Sequence, residues 1–200
     1  MLLLTAGCAA SMLEVAPDKA VYQQISCPKN GQKAQSYQVL STQKWSRGVV
    51  VLYSALCPTG NQMPARRVFG HKVVERNGMN WQVSGSDSFR TKPTSAKSER
   101  LIDYSISQST AQSRDRYAIL YGQIIATKVV AVEATFDNGQ ILRDEGSNGV
   151  FALVSPGATG VCEVRIFGND NQILQQDDLA LPRRLLSREQ QPCYSNSHRL

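Results

Sequence analysis

The feature that most narrows the fold is punctuation. From Tyr117 onward, apolar runs of strand length are cut about every ten residues by Gly, Asn or Pro turn signals. Tyr117–Ile125 and Val129–Phe136 read as strands, and Asp137-Asn138-Gly139 turns the second of them into Gln140–Arg143, with Phe136 expected opposite Ile141. Gly149–Val154 follows and is closed by Pro156-Gly157. Val161–Phe167 alternates, so Cys162, Val164 and Ile166 are expected on one face and Glu163 and Arg165 on the other. Gly168-Asn169-Asp170-Asn171 then turns the chain into Gln172–Gln175. Short strands joined in this way predict an antiparallel β-sandwich.

The first half carries the same grammar less evenly. Gly48–Tyr53 is a continuous β-branched and apolar run ending at Cys57-Pro58-Thr59-Gly60, the pattern of a buried central strand. Val68–Arg76 and Met79–Val83 flank Asn77-Gly78, a type I′ hairpin signal whose register sets Val74 across from Trp81. Gln32–Trp45 is ambiguous and leaves room for a short helix. Ser84 to about Arg116 turns polar, like a linker, although Leu101–Ile106 reads as a short strand within it. The expected organisation is therefore mainly β: a tether over residues 8–20, a smaller N-terminal β-rich domain over 21–100, an Ig-like antiparallel β-sandwich over 101–180, and a basic tail over 181–200.

Within the second half, Gly122-Gln123-Ile124, Val130 through Asp137-Asn138-Gly139, Gly149-Val150-Phe151-Ala152-Leu153 and Pro156-Gly157 occur in that order. This succession resembles the prealbumin-like and carboxypeptidase-regulatory-like sandwich modules. The resemblance implies a fold for little over a quarter of the chain and carries over no active-site residue.

At the other end, Met1-Leu-Leu-Leu-Thr-Ala-Gly-Cys8 runs from leucines through small residues to a cysteine. It resembles the lipobox that ends a bacterial lipoprotein signal peptide, with Ala6 and Gly7 before the cut and Thr5 where Leu is commoner. The resemblance implies that Cys8 takes a diacylglycerol and becomes the new N-terminus, leaving residues 1–7 as a signal remnant. Ala9 after the cysteine implies, in a Gram-negative cell, retention at the outer membrane facing the periplasm. Seven residues are too few for a whole signal sequence, so the true start is expected about ten or more residues upstream.

Four cysteines remain, Cys27, Cys57, Cys162 and Cys193, an even number with no CxxC pair and no zinc spacing. Two disulfides are expected, with three connectivities open; the short-range pairs Cys27–Cys57 and Cys162–Cys193 are favoured, each closing a loop of about 30 residues. Chemistry is thinly represented. The two histidines, His71 and His198, leave no multi-histidine metal site, and a Cys57–His71 dyad ranks below a half-cystine. Ser41-Thr42-Gln43-Lys44 has the S-x-x-K spacing but lacks the companion K-T-G. Asp137, Asn138, Asn169, Asp170 and Asn171 offer calcium-like oxygens, yet each cluster lies where a hairpin must turn.

The 22 basic and 16 acidic residues leave a net charge of +6, which favours anionic surfaces. Nucleic acid fits poorly, since the aromatics do not interleave with the cations. The expectation is a lipid-anchored envelope protein without cofactor, metal or catalytic residue. It is expected to act as a binding or scaffolding module whose partners are the membrane and an envelope protein or anionic envelope polymer. An envelope hydrolase with an unrecognised site, or an accessory subunit of an envelope complex, is the alternative.

Overall fold

A strand whose side chains are apolar on both faces must be covered on both faces, and two strands inside their sheets show this most fully among the described residues. One is β2 (Gly48–Cys57), the other β6 (Tyr117–Ile124), and their arrangement organises the molecule. The computed structural model describes residues 21, 27, 33–58, 65–78, 80–90, 100–109, 116–179 and 193. Cys8, His198 and all of the expected tether and basic tail except Cys193 lie outside these residues.

Among the described residues, eleven strands form three antiparallel sheets. The first is a meander of β1 (Ser36–Trp45), β2, β3 (Arg66–Asn77) and β4 (Asn80–Arg90) in chain order. The second holds β5 (Ile102–Gln108), β6 and β9 (Val150–Pro156), with β6 in the middle. The third runs β11 (Ile173–Asp178), β10 (Val161–Phe167), β7 (Ala131–Phe136), β8 (Ile141–Asp144). The mainly-β sandwich expected from the sequence is thus present, as three layers rather than two.

The core clusters show how the layers stack. Leu120 of β6 and Phe151 and Leu153 of β9 meet Val132, Ala134 and Phe136 of β7 and Val164 and Ile166 of β10. On the opposite face of the central sheet, Tyr117, Ile119 and Tyr121 of β6 meet Val50 and Leu52 of β2 and Phe69 and Val73 of β3. The first sheet then buries its outer face, with Val49, Val51 and Tyr53, against Val21 and Cys27. Ile119, Leu120 and Tyr121 are each 0 % exposed, and burying side chains of this size contributes about 1.5–3 kcal/mol apiece. One core cluster therefore joins residues 50–73 to residues 117–152, on either side of the composition change near residue 100.

Several local readings are corrected. Gln32–Trp45 contains no short helix among its described residues; it supplies the edge strand β1, whose pairing slips between Val39 and Ser41. The polar run after Val83 continues β4 to Arg90, turning Asp87 and Phe89 toward the central sheet and Ser86 and Ser88 away from it. In the β3–β4 hairpin Asn77 pairs with Asn80, so Val74 faces Val83 and Trp81 faces Arg76. Gly78, at φ +61°, takes the left-handed conformation that opens this turn. The β7–β8 turn uses three residues, with Phe136 N–H donating to the Gln140 carbonyl and Gly139 at φ +83°; Ile141 therefore faces Thr135. In β10 the pairing slips between Val161 and Glu163, so Val161 joins Val164 and Ile166 in the core, while Cys162 bonds to Cys193.

Candidate functional site

Both disulfides have the short-range connectivity. Cys27–Cys57 spans 5.6 Å between Cα atoms and fastens the N-terminal segment to the outer face of the first sheet. Cys162–Cys193 spans 5.0 Å and brings the tail back to β10. Each closes a loop worth about 3 kcal/mol in the chain-entropy account.

The motif-like spacings do not assemble. Ser41 and Lys44 lie on a strand and point to opposite faces, so the turn of helix that would bring them together is missing. Cys57 is a half-cystine on the outer face of the first sheet, whereas His71 pairs with Leu52 and faces inward. Asp137 accepts the N–H and hydroxyl of Thr159, and Asn138 donates to Ser155 and the Pro156 carbonyl. Asp170 and Asn171 take φ of 56° and 58° in the turn before β11. These oxygens are engaged in closing loops. Among the described residues no three His, Cys, Asp or Glu side chains are grouped to hold a metal ion.

Between the first and central sheets lies a polar cluster that the sequence did not reveal. Asp87 accepts hydrogen bonds from the Tyr121 hydroxyl (3.0 Å), the Ser105 hydroxyl (3.4 Å) and the Ser88 N–H (2.8 Å). His71 sits opposite Asp87 across the β3–β4 ladder, 0 % exposed, with its ring 4.5 Å from that of Tyr121. Neither ring nitrogen has a hydrogen-bond partner among the described residues. Burial lowers the His71 pKa to about 4, against the pull of Asp87, and Lys72 adds to the lowering. Tyr53 is pushed up to about 12 by burial and then by Asp87, and Tyr121 is raised for the same reasons. These groups are neutral imidazole and phenol at ordinary pH. His71, Asp87 and Tyr121 pin the two sheets together, Tyr53 lies on the outer face of the first sheet, and the cluster is closed to a substrate.

Accessible chemistry lies instead at one end of the same interface. Two adjoining clefts, of about 390 and 380 Å³, share Ser54 of β2 and Arg67 of β3. One continues along Ser36, Tyr37 and Gln38; the other runs between Leu40 and the Gln123–Ile125 and Asn148–Val150 backbones. The position of Arg67 follows from register: it pairs with Leu56 at the start of β3, on the face of the first sheet that meets the central one. Arg67 is exposed and is the one charged residue lining either cleft among the described residues. Asn148 is held by its Nδ2 donating to the Leu40 carbonyl at 3.2 Å. A guanidinium between hydroxyl and amide groups, above an apolar floor of Leu40 and Ile124, matches a carboxylate or phosphate carried on a polar, hydroxylated scaffold.

A third cleft, of about 450 Å³, is lined by Gln43, Asp144 and Glu145 among others. Its floor is spent, because Asp144 already accepts from Gln43 Nε2, Gly146 N–H and Ala152 N–H. No protein-family profile, curated protein or solved structure matches the chain.

Proposed function

We propose that this protein is a lipid-anchored, extracytoplasmic module of the cell envelope that binds an anionic envelope polymer without transforming it. The observation that carries the binding half is the pair of clefts sharing Arg67, an exposed cation with no carboxylate in the lining among the described residues. An arginine so placed recognises acidic groups through two parallel hydrogen bonds and cannot act as a base. The non-catalytic half draws on the same geography. The histidine, the one described residue with a ring suited to proton transfer near neutrality, is buried beneath Tyr121 and away from the clefts.

The envelope address draws support from the lipobox-like Thr5-Ala6-Gly7-Cys8 and from two cysteine pairs at disulfide geometry, a usage that belongs to oxidising compartments. Two or three acyl chains on Cys8 suffice for stable attachment where one would be marginal. Two measurements test the reading. Expressed in an exporting bacterial host, the wild type should partition into detergent and Cys8→Ala into the aqueous phase; equal aqueous recovery removes the anchor. Calorimetric titration with a uronic-acid oligosaccharide should give binding that Arg67→Ala weakens about tenfold or more, as expected for one charge-assisted contact. A neutral oligosaccharide of the same length should not bind, and equal binding of both removes the electrostatic site.

A further inference from the structure

The second of the two clefts that share Arg67 is walled by three separate elements that are bonded to one another. Leu40 is the residue that the slip in β1 leaves unpaired across the ladder, and its carbonyl accepts Asn148 Nδ2 (3.2 Å) instead. Ser147 and Val150 exchange N–H to carbonyl hydrogen bonds around Asn148 (φ +54°) and Gly149 (φ +72°), which makes a two-residue hairpin turn. The Gly149 carbonyl accepts Ile124 N–H (2.8 Å), so this turn is fastened to β1 on one side and to the end of β6 on the other. A lip fixed in this way is formed before a ligand arrives, and little ordering cost is left for binding.

The wall carries amides and aliphatic carbon beside its one cation. Gln123 pairs with Val150 and shares with Ile119 and Tyr121 the face of β6 turned toward the first sheet, so its amide borders the cleft. Asn148 supplies a second amide; its bond to Leu40 uses one of two amide hydrogens and leaves the carbonyl oxygen to accept. Leu40 and Ile125 supply aliphatic surface, and Ile125, at 38 % exposure, is one of three exposed large apolar side chains among the described residues. The space is about 380 Å³, within the span of about 300–1,000 Å³ usual for small-ligand sites. Amides set against aliphatic carbon are the complement of an acylamino group, which presents a carbonyl acceptor, an N–H donor and a methyl together. A hydroxyl has no methyl to bury there, and a free amine would bring a second cation to Arg67.

We propose that the acidic polymer carries N-acylated amino sugars, and that this cleft takes the acylamino group of the unit next to the acid. The proposal rests on the reading of Arg67 as the anion site and names the neighbour that the acid must have. Arg67 fixes the acid where the two clefts meet, and Gln123, Asn148, Leu40 and Ile125 read the adjoining unit.

The test is calorimetric titration of the full chain with three oligosaccharides of equal length. One is a hyaluronan fragment, in which uronic acid alternates with N-acetylglucosamine. The second is the same fragment carrying N-formyl in place of N-acetyl, and the third is an oligogalacturonate, which has acid groups and no acylamino group. The N-acetyl fragment should bind about fourfold more tightly than the N-formyl one, the worth of one buried methyl group. Ile125→Ser should shrink that ratio to less than about twofold, while Ile173→Ser, which alters another exposed isoleucine, on β11, should keep it. Gln123→Leu should weaken both N-acylated fragments about fivefold by removing one hydrogen-bonding amide. Equal affinities for the N-acetyl and N-formyl fragments, or a ratio that Ile125→Ser leaves intact, would overturn the proposal; the anion site itself would stand if Arg67→Ala still weakened all three ligands. Binding indifferent to Arg67→Ala, or no binding of any of the three, would overturn the anion site and the proposal with it.

Discussion

Acidification should destabilise this protein through one side chain. His71 is fully buried, and its pKa falls from an ordinary 6.5 to about 4 because charging it would strand a cation in the core. The unfolded chain takes up a proton near pH 6.5 and the folded one does not until near pH 4. Stability is therefore whole above pH 6.5, falls as the pH drops through that window, and has lost its full share near pH 4. At 1.36 kcal/mol per pH unit, the share is about 3 kcal/mol. The control is His71→Phe, which keeps a ring against Tyr121 and removes the two ring nitrogens that lack partners among the described residues. Replacing unpaired polar atoms by apolar ones of similar shape is close to neutral at pH 7. Urea unfolding of both proteins at pH 7, 5.5 and 4 isolates the histidine from every other titrating group. With an m-value of about 2 kcal/mol per molar, the wild-type midpoint should fall about 1.5 M further than that of the variant. Parallel pH dependences would refute the reasoning. A loss of more than about 2 kcal/mol in His71→Phe at pH 7 would show that the nitrogens have partners after all.

Three further outcomes are expected. Tyr121→Phe removes one of three donors to Asp87 and should cost about 1.5–3 kcal/mol in urea unfolding at pH 7; a neutral result would mean that the carboxylate is satisfied without it. Gly122→Ala places a methyl 2.7–2.8 Å from the Phe151 ring in the core and should cost about 1–3 kcal/mol, read as a lower Tm. Removing Cys27–Cys57 by a double serine substitution should cost about 3 kcal/mol, and reduction of the wild type should reproduce the loss.

What the sequence disclosed and what it withheld divide along physical lines. Val161–Phe167 and Ala131–Phe136 were legible because one face is core and the other solvent, which writes a period of two into the residues. β4 beyond Val83 was not, because its inward residues include Gly85 and Asp87 and its outward ones include Ser86 and Ser88, leaving Phe89 alone to carry an apolar signal. Hairpins were legible as hairpins, but their registers were not: the β3–β4 turn sits one residue later than Asn77-Gly78, which moves each partner by two, and the β7–β8 loop is one residue shorter than expected, which moves each partner by one. The disulfide partners were open until the bulge at Cys162 released that side chain from the core. The polar cluster joins β3, β4, β5 and β6, and the clefts join β2 and β3 to the β8–β9 turn. Arg67 lies beside Arg66 in the chain but on the opposite face, which only the pairing with β2 decides.

The central claim, an anionic ligand held at Arg67 and left unchanged, is open to one NMR titration that watches both molecules. Adding a uronic-acid oligosaccharide to the isotope-labelled full chain should shift the amide signals of Ser54, Arg67, Gln123 and Asn148, leave Glu133, Glu163 and Arg165 in place, and leave the ligand's own spectrum intact over hours. Shifts centred on the third sheet, or new ligand signals showing that a bond has been cleaved, would contradict it.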